Sequence, residues 1–403
     1  MTFLPDIFNC TGCGACKSIC PKQAISIEPD EEGFLRPLVD NDKCIECHLC
    51  QKTCPSLRKA ITPVPKQHIY ALINNADRDL SSSGGAFSAF SRMVLNHGGI
   101  VFGATLDEKL QCRHIGIEKV EDLALLRGSK YVQSKIGDTF SEVKKNLAMN
   151  RPVLFSGTPC QVAGLYSYLG GNRYENTLIT LDLVCHGVPN QVFFDAYISK
   201  LQKENCNHCK IESFRFRKLD AWDYRPAYKK ANAEHWVVTR LKDNAYMSAF
   251  FRGLSYRESC YQCKYANLNR VGTFTIADFW GIGTYGTKFN HDIGSGVSAV
   301  IDNYNSVPSL RAELEQYAII EERSLDEILS NNQNLNGPVT RPKERNDAVK
   351  DMLDMNVSLS EYSEKYKLLP KNRIKYWTCE LFKSLIYSLN LYNFYKSISY
   401  RLK

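Results

Sequence analysis

Cys10-Thr11-Gly12-Cys13-Gly14-Ala15-Cys16-Lys17-Ser18-Ile19-Cys20-Pro21 has a spacing that returns as Cys44-Ile45-Glu46-Cys47-His48-Leu49-Cys50-Gln51-Lys52-Thr53-Cys54-Pro55. Each run reads C-x2-C-x2-C-x3-C-P. Three close thiolates wrap one face of a four-iron cube, and in doubled runs the fourth cysteine ligates the other cluster. Cys10, Cys13, Cys16 and Cys54 are therefore expected on one [4Fe–4S] cluster. Cys44, Cys47, Cys50 and Cys20 are expected on the second. Gly12 and Gly14 let the backbone bend close to the sulfurs. The competing reading is a pair of zinc sites, but structural zinc is met by cysteine pairs rather than Pro-flanked triplets. Two adjacent clusters relay single electrons.

The chain has 403 residues, 44% hydrophobic and 23% charged. At ~150 residues per domain this suggests two or three domains, and it excludes a largely disordered chain. No run of ~18 apolar residues marks a membrane span. The opening MTFLPDIFNC has neither a charged n-region nor an apolar h-region, so the expectation is a cytoplasmic protein with reduced thiols. There, clustered cysteines point to metal rather than disulfides. The net charge is +8, and Glu364 to Lys403 alone carry nine Lys/Arg against two Glu. The rest is close to neutral, which excludes a nucleic-acid binder as the expected class.

Residues 1–58 hold eight cysteines and little apolar bulk, so this module depends on a metal staple. Residues 59–68, with two prolines, read as a linker. Strand-like and helical stretches then alternate through 69–336: strands over 69–74, 100–106, 153–156, 178–184 and 273–279, and a helix over 86–96. That alternation predicts an α/β domain. Residues 337–403 are expected to be a helical C-terminal extension.

Further motifs fall on turns of this domain. Ser81-Ser82-Ser83-Gly84-Gly85 precedes the helix at 86, where free N–H groups beside hydroxyls suit a phosphate; a capped helix start is the plainer reading. Arg127-Gly128-Ser129-Lys130-Tyr131-Val132-Gln133-Ser134 mixes cations, hydroxyls and an aromatic, and could equally be a solvated turn. Ser156-Gly157-Thr158-Pro159-Cys160-Gln161 and Asp182-Leu183-Val184-Cys185-His186-Gly187 end two strands, where ligands of open α/β sheets gather. Ser259-Cys260-Tyr261-Gln262-Cys263 supplies two thiolates, and Cys160 and Cys185 are the natural further donors to a third cluster. The plainer alternative makes Cys160 and Cys185 buried apolar residues. Cys206 and Cys209 read as incidental, Cys112 and Cys379 as structural.

The doubled cysteine run is that of bacterial two-cluster ferredoxins. With SSSGGAFSAF (81–90), RGSKYVQS (127–134), SGTPCQVAG (156–164), VCHGVP (184–189) and the SCYQCKY and FTIADFWG motifs within 259–281, the chain resembles the coenzyme F420 hydrogenase/dehydrogenase beta subunit family. That family also includes the hydroxymethyl chlorophyll reductases. The resemblance implies an α/β flavoprotein domain, carrying FAD with FMN as the alternative, fused to a two-cluster α+β ferredoxin-like module. Carried over by motif, Ser83, Gly84, Gly85, Arg127, Ser129, Lys130, Tyr131 and Gln133 become flavin-site candidates. Cys160, Cys185, Cys260 and Cys263 become ligands of a cluster near the flavin.

The expected chemistry is conversion between single electrons on clusters and electron pairs on flavin, the protein tuning the flavin's electronics. Lys130 or Arg127 is expected to stabilise negative charge on it, and His186 to hold the accompanying proton. The first functional reading is an oxidoreductase acting on a small organic substrate, linked to surface-polysaccharide assembly. The second is an electron-transfer subunit serving a redox partner such as a ferredoxin. The basic aromatic tail, Tyr376 to Tyr400, is read as a partner or peripheral membrane surface or as a packed terminal helix. Homo-oligomers are compatible with either reading.

Overall fold

The computed structural model describes residues 4–58, 67–171, 174–205, 208–218, 222–283 and 288–369, with isolated positions beyond. The Tyr376–Tyr400 tail, Cys206, Cys379 and most of the 59–68 linker lie outside this description.

The N-terminal module is a β1–β2 hairpin (Ile25–Pro29 and Leu35–Val39) flanked by two five-residue helices, α1 (Ala15–Ile19) and α2 (Leu49–Thr53). The two cysteine runs take matching shapes. The residue before each helix is left-handed, Gly14 at φ 78° and His48 at φ 58°, and each fourth cysteine caps the end. Among the described residues, only Ala15, Ala24, Ile25 and Phe34 give this module a buried apolar centre outside its cysteines and Pro55.

The larger unit is built on an eight-stranded mixed sheet. Its strands are β3 (His68–Ile73), β4 (Ile100–Leu106), β5 (Cys112–Ile117), β6 (Val153–Gly157), β7 (Leu178–Leu183), β11 (Phe274–Asp278), β12 (Ser298–Asp302) and β13 (Ile319–Arg323). The order is β13-β3-β12-β11-β7-β6-β4-β5. The central four, β11, β7, β6 and β4, are parallel, and antiparallel strands close both flanks. The period-2 alternation of a strand divides the core. Val101 and Leu154 face helix α3 (Ala86–Asn96), while Phe102, Val153 and Phe155 face helices α5 (Thr139–Ala148) and α6 (Pro159–Tyr168). A separate three-stranded sheet, β8 (Ile211–Arg215), β9 (Ala227–Lys230) and β10 (Val237–Val238), stands beside it. The turn Leu123–Leu126 is α4, Gln191–Asn205 is α7 and Ala245–Phe251 is α8.

Two expected boundaries shift. His68 already belongs to β3, and Gln67 donates to the Leu268 carbonyl and to Asn303 Oδ1, so the linker ends earlier than residue 68. The described residues from 338 to 368 do not leave the domain: Ala348, Val349, Met352, Leu359, Tyr362 and Tyr366 share one core with Phe193, Tyr197 and Tyr246. The polar sequence of 337–347 hides this, because the helices at 345–353 and 359–365 bury only one stripe each.

Candidate functional site

The eight cysteines of the N-terminal module fall into two neighbourhoods. Cys13 and Cys16 feel the charge of Cys10 and Cys54, whereas Cys50 feels Cys20 and Cys47. The fourth cysteine of each run thus sits with the other run's triplet, as crossed ligation requires. Burial pushes the Cys13 thiol up to about 12, a cost that metal coordination removes by holding the thiolate.

The module docks on α5 and α6. Cys13 and Ala15 join the core formed by Phe140, Phe155 and Val162. Arg345, fully buried, reaches across to Glu32, and Asn190 Nδ2 donates to the Glu32 carbonyl at 2.8 Å. Arg257 is the central tie. It is buried, its Nη2 donates to the Leu35 carbonyl at 2.9 Å and to Gln133 Oε1 at 2.7 Å, and Gln133 Nε2 donates to the Thr11 carbonyl at 3.0 Å.

Helix α6 begins at Thr158 with a capping box closed by Gln161 and with Pro159 at its first position. This start aims Cys160 at the tie. Cys160, Cys185, Cys260 and Cys263 form one electrostatic neighbourhood. Burial first, and then Cys260, Cys160 and Cys263, push the Cys185 thiol well above its usual range. Burial also raises Cys160 to about 11 and Cys260 to about 12. Cys13 of the module and Cys160 are electrostatic neighbours as well. Among the described residues no group of three or more His, Cys, Asp or Glu is arranged as a site for a metal ion. This includes the cysteines of both runs, and a four-iron cube spreads its thiolates more widely than a single ion does. The donor set is four soft thiols, which suits iron–sulfur or zinc chemistry.

Beyond these cysteines opens a cavity of about 270 Å³ at the carboxyl ends of β4, β6, β7 and β11. Ser81–Ser83 and Gly85, Arg127–Ser134, Gly157, Cys185 and His186 all line it. Sequence motifs separated by a hundred residues therefore share one concave surface, at the place where open α/β sheets bind ligands.

The individual side chains are more committed than the sequence suggests. Ser83 Oγ donates to the Val297 carbonyl at 2.9 Å, and Ser129 N donates to Ser82 Oγ at 3.0 Å. A Cβ on Gly84 would stand 2.3 Å from the Leu72 carbonyl and the Ser298 amide, so only glycine lets the loop lie on β3 and β12. Gly85 precedes α3 at φ 85°. Arg127 pairs with buried Asp77, which Arg92 also holds; burial opposes that carboxylate's charge, and the two arginines more than offset it. Lys130 Nζ donates to the Leu126 and Arg127 carbonyls, both at 2.8 Å, closing the end of α4. Burial lowers it to about 8. Tyr131 packs edge-on against Phe250 at 4.8 Å. Gln133 touches the cavity, yet its amide is spent on Arg257 and Thr11. Burial lowers the basicity of His186, opposed by the charge of Asp278.

Sequence reading missed a polar cluster on the opposite wall. Arg217 Nη1 donates to Asp278 Oδ2, and Trp222 Nε1 donates to Asp278 Oδ1, both at 2.7 Å. Trp222 stacks on Trp280 with ring centres 4.5 Å apart, and Tyr224 leans on both Trp280 and the Arg217 guanidinium. Asp278 and Trp280 stood inside a recognised motif without a role. Arg217 sits in no motif, and nothing local marks it. His114, also lining the cavity, bonds Ser134 Oγ and the Ser156 carbonyl, both at 2.9 Å. No helix among the described residues is long and apolar enough to cross a membrane.

Two thiol-lined cluster sites docked against an α/β cavity define an iron–sulfur electron-transfer protein, and comparison with known families agrees. Residues 9–57 match the 4Fe-4S dicluster domain. Residues 150–327 match the family described as the C terminus of the coenzyme F420 hydrogenase/dehydrogenase beta subunit. Among solved structures, a chain of the F420-reducing [NiFe] hydrogenase complex from Methanosarcina barkeri is similar at 14% identity and a TM-score of 0.42, over 74% of this chain and 90% of that one. No curated protein matches the chain.

Proposed function

We propose that the protein is an iron–sulfur flavoprotein oxidoreductase of the cytoplasm, in which the cavity holds a flavin and Cys160, Cys185, Cys260 and Cys263 hold a third [4Fe–4S] cluster. The observation that carries this reading is the position of Cys185: it shares a neighbourhood with the other three thiols and also lines the cavity with His186. Cys13 lies beside Cys160 on the opposite side. The thiols therefore run in series from the dicluster module to the cavity, the arrangement a one-electron relay needs.

The chain's own residues fit a flavin. Gly84 and Gly85 permit a close backbone approach, the start of α3 favours negative charge, and Trp280 and Tyr224 offer flat apolar surface. When bound, the flavin supplies exchange between one-electron and two-electron chemistry. Arg127, ion-paired with the Asp77 carboxylate that Arg92 shares, holds the start of the Gly128–Ser129 loop. Lys130 keeps one N–H to give after its two carbonyls. Arg257 holds positive charge between Cys10 and Cys260.

The deciding experiment is anaerobic purification with iron, sulfide and flavin measured per chain. About twelve irons and one flavin are expected. Eight irons without flavin, together with failure to bind added FAD or FMN, overturn the reading. An electron-transfer subunit without a substrate site is distinguished by its lack of turnover with reduced viologen and nucleotide sugars.

A further inference from the structure

A second cavity of about 190 Å³ lies behind the Arg127–Lys130 loop, against β8. Its walls carry Arg127, Lys130, Arg215 and Arg217, together with apolar residues, Gly128 and Ser129, and no Asp or Glu. The cations are unequally balanced. Arg127 is matched by Asp77 and Arg217 by Asp278. Arg215 lies over the Trp236 ring at 4.3 Å, and burial alone perturbs it, with no carboxylate contributing. Lys130 spends its bonds on neutral carbonyls.

Arg217 lines both cavities and is only 3% exposed. Its Nε donates to the Asp223 carbonyl at 2.9 Å, its Nη1 to Asp278, and Tyr224 covers its face. Among the described residues its Nη2 has no hydrogen-bond partner. A buried donor left unmade is costly and calls for a specific reason. Here the guanidinium is held rigidly on its other sides, and the buried Nη2 belongs to a residue that lines both cavities.

We propose that this second cavity takes a phosphate group of the small-molecule substrate, bound by Arg217 Nη2 with Arg215 and Lys130, next to the reacting centre in the first cavity. Two unmatched cations and a spare guanidinium N–H match a phosphate monoester, which carries about −1.5 to −2 charge at pH 7, better than a carboxylate. Arginine is also the side chain suited to such an oxyanion. The inference rests on the flavin occupying the first cavity. The flavin's own phosphate is the other source of the same chemistry.

Inorganic pyrophosphate, titrated calorimetrically into the purified full-length protein, tests the site. Wild-type protein with its flavin in place is expected to bind it, and Arg217→Met and Arg215→Met to weaken binding at least tenfold, Arg215→Met at unchanged flavin content. Arg215→Met keeps the test open if Arg217→Met fails to fold, because Arg215 is exposed and lacks a carboxylate partner. No binding by wild type, or equal binding by Arg215→Met, overturns the site. In a second arm, riboflavin, FMN and FAD are titrated into flavin-stripped protein. If Arg215→Met weakens FMN and FAD but not riboflavin, the phosphate is the cofactor's and the substrate assignment falls. If the protein binds no flavin but pyrophosphate binding still depends on Arg215, the flavin reading fails and the anion site stands.

Discussion

Gly164 of α6 lies against Cys13: a Cβ built on the glycine would stand 3.1 Å from both Cβ and Sγ of the cysteine. The same helix carries Cys160 in its first turn. The absence of one side chain thus brings Cys13 of the N-terminal module onto the helix whose first turn carries Cys160. Gly164→Val is expected to cost about 1–3 kcal/mol through overpacking. Thermal unfolding and limited proteolysis check it, with faster cleavage near residue 58 as the specific sign that the dicluster module has loosened.

Crossed ligation makes iron losses non-additive in a defined way. Cys13→Ala and Cys54→Ala each remove about four irons. The double variant removes no more than either alone, because both residues serve one cluster. Cys47→Ala with Cys54→Ala removes about eight. Iron analysis of these variants that instead groups Cys54 with Cys47 refutes the assignment.

For the third cluster, Cys260→Ala in the full-length chain is expected to lower iron by about four while leaving the two ferredoxin-type clusters visible by electron paramagnetic resonance. With the proposed flavin bound, the reduced N-terminal clusters should then fail to pass electrons to it. Unchanged iron sinks the four-thiol assignment.

His114 has its basicity lowered by burial to about 4, from an ordinary 6.5. Between those values the unfolded chain binds a proton that the folded protein does not. Stability therefore falls as pH drops from about 6.5 to 4, on the order of 3 kcal/mol for this one group. Chemical denaturation from pH 7 to pH 4.5, beside His114→Asn, checks the slope: the variant should lose stability less steeply.

Lys130 behaves with the opposite consequence for binding. Its ammonium sits at about 8 in the folded protein against 10.5 unfolded. The unfolded chain holds the extra proton between these values, so the group's contribution to stability rises with pH there. Any anion held by Lys130 should weaken as pH climbs through 8. A binding titration at pH 7 and pH 9 reads this directly, and Lys130→Met should flatten the difference.

The sequence by itself determined the dicluster module and the short strands and helices of the larger domain. Cysteine spacing is a local property that metal geometry reads directly, and the strands at 100–106 and 178–183 and the helix at 86–96 declare themselves by apolar periodicity and Gly-rich ends. The candidate cavity was legible only as separate motifs. Tertiary structure decided the rest. It spent Gln133 on the module interface, paired Arg127 with Asp77, buried His186, and brought Arg217 from outside any motif to the cavity wall. It also kept the 345–368 segment inside the core. The physical reason is range: spacing and periodicity act within a few residues, whereas burial and ion pairing depend on which distant strands the sheet order places side by side.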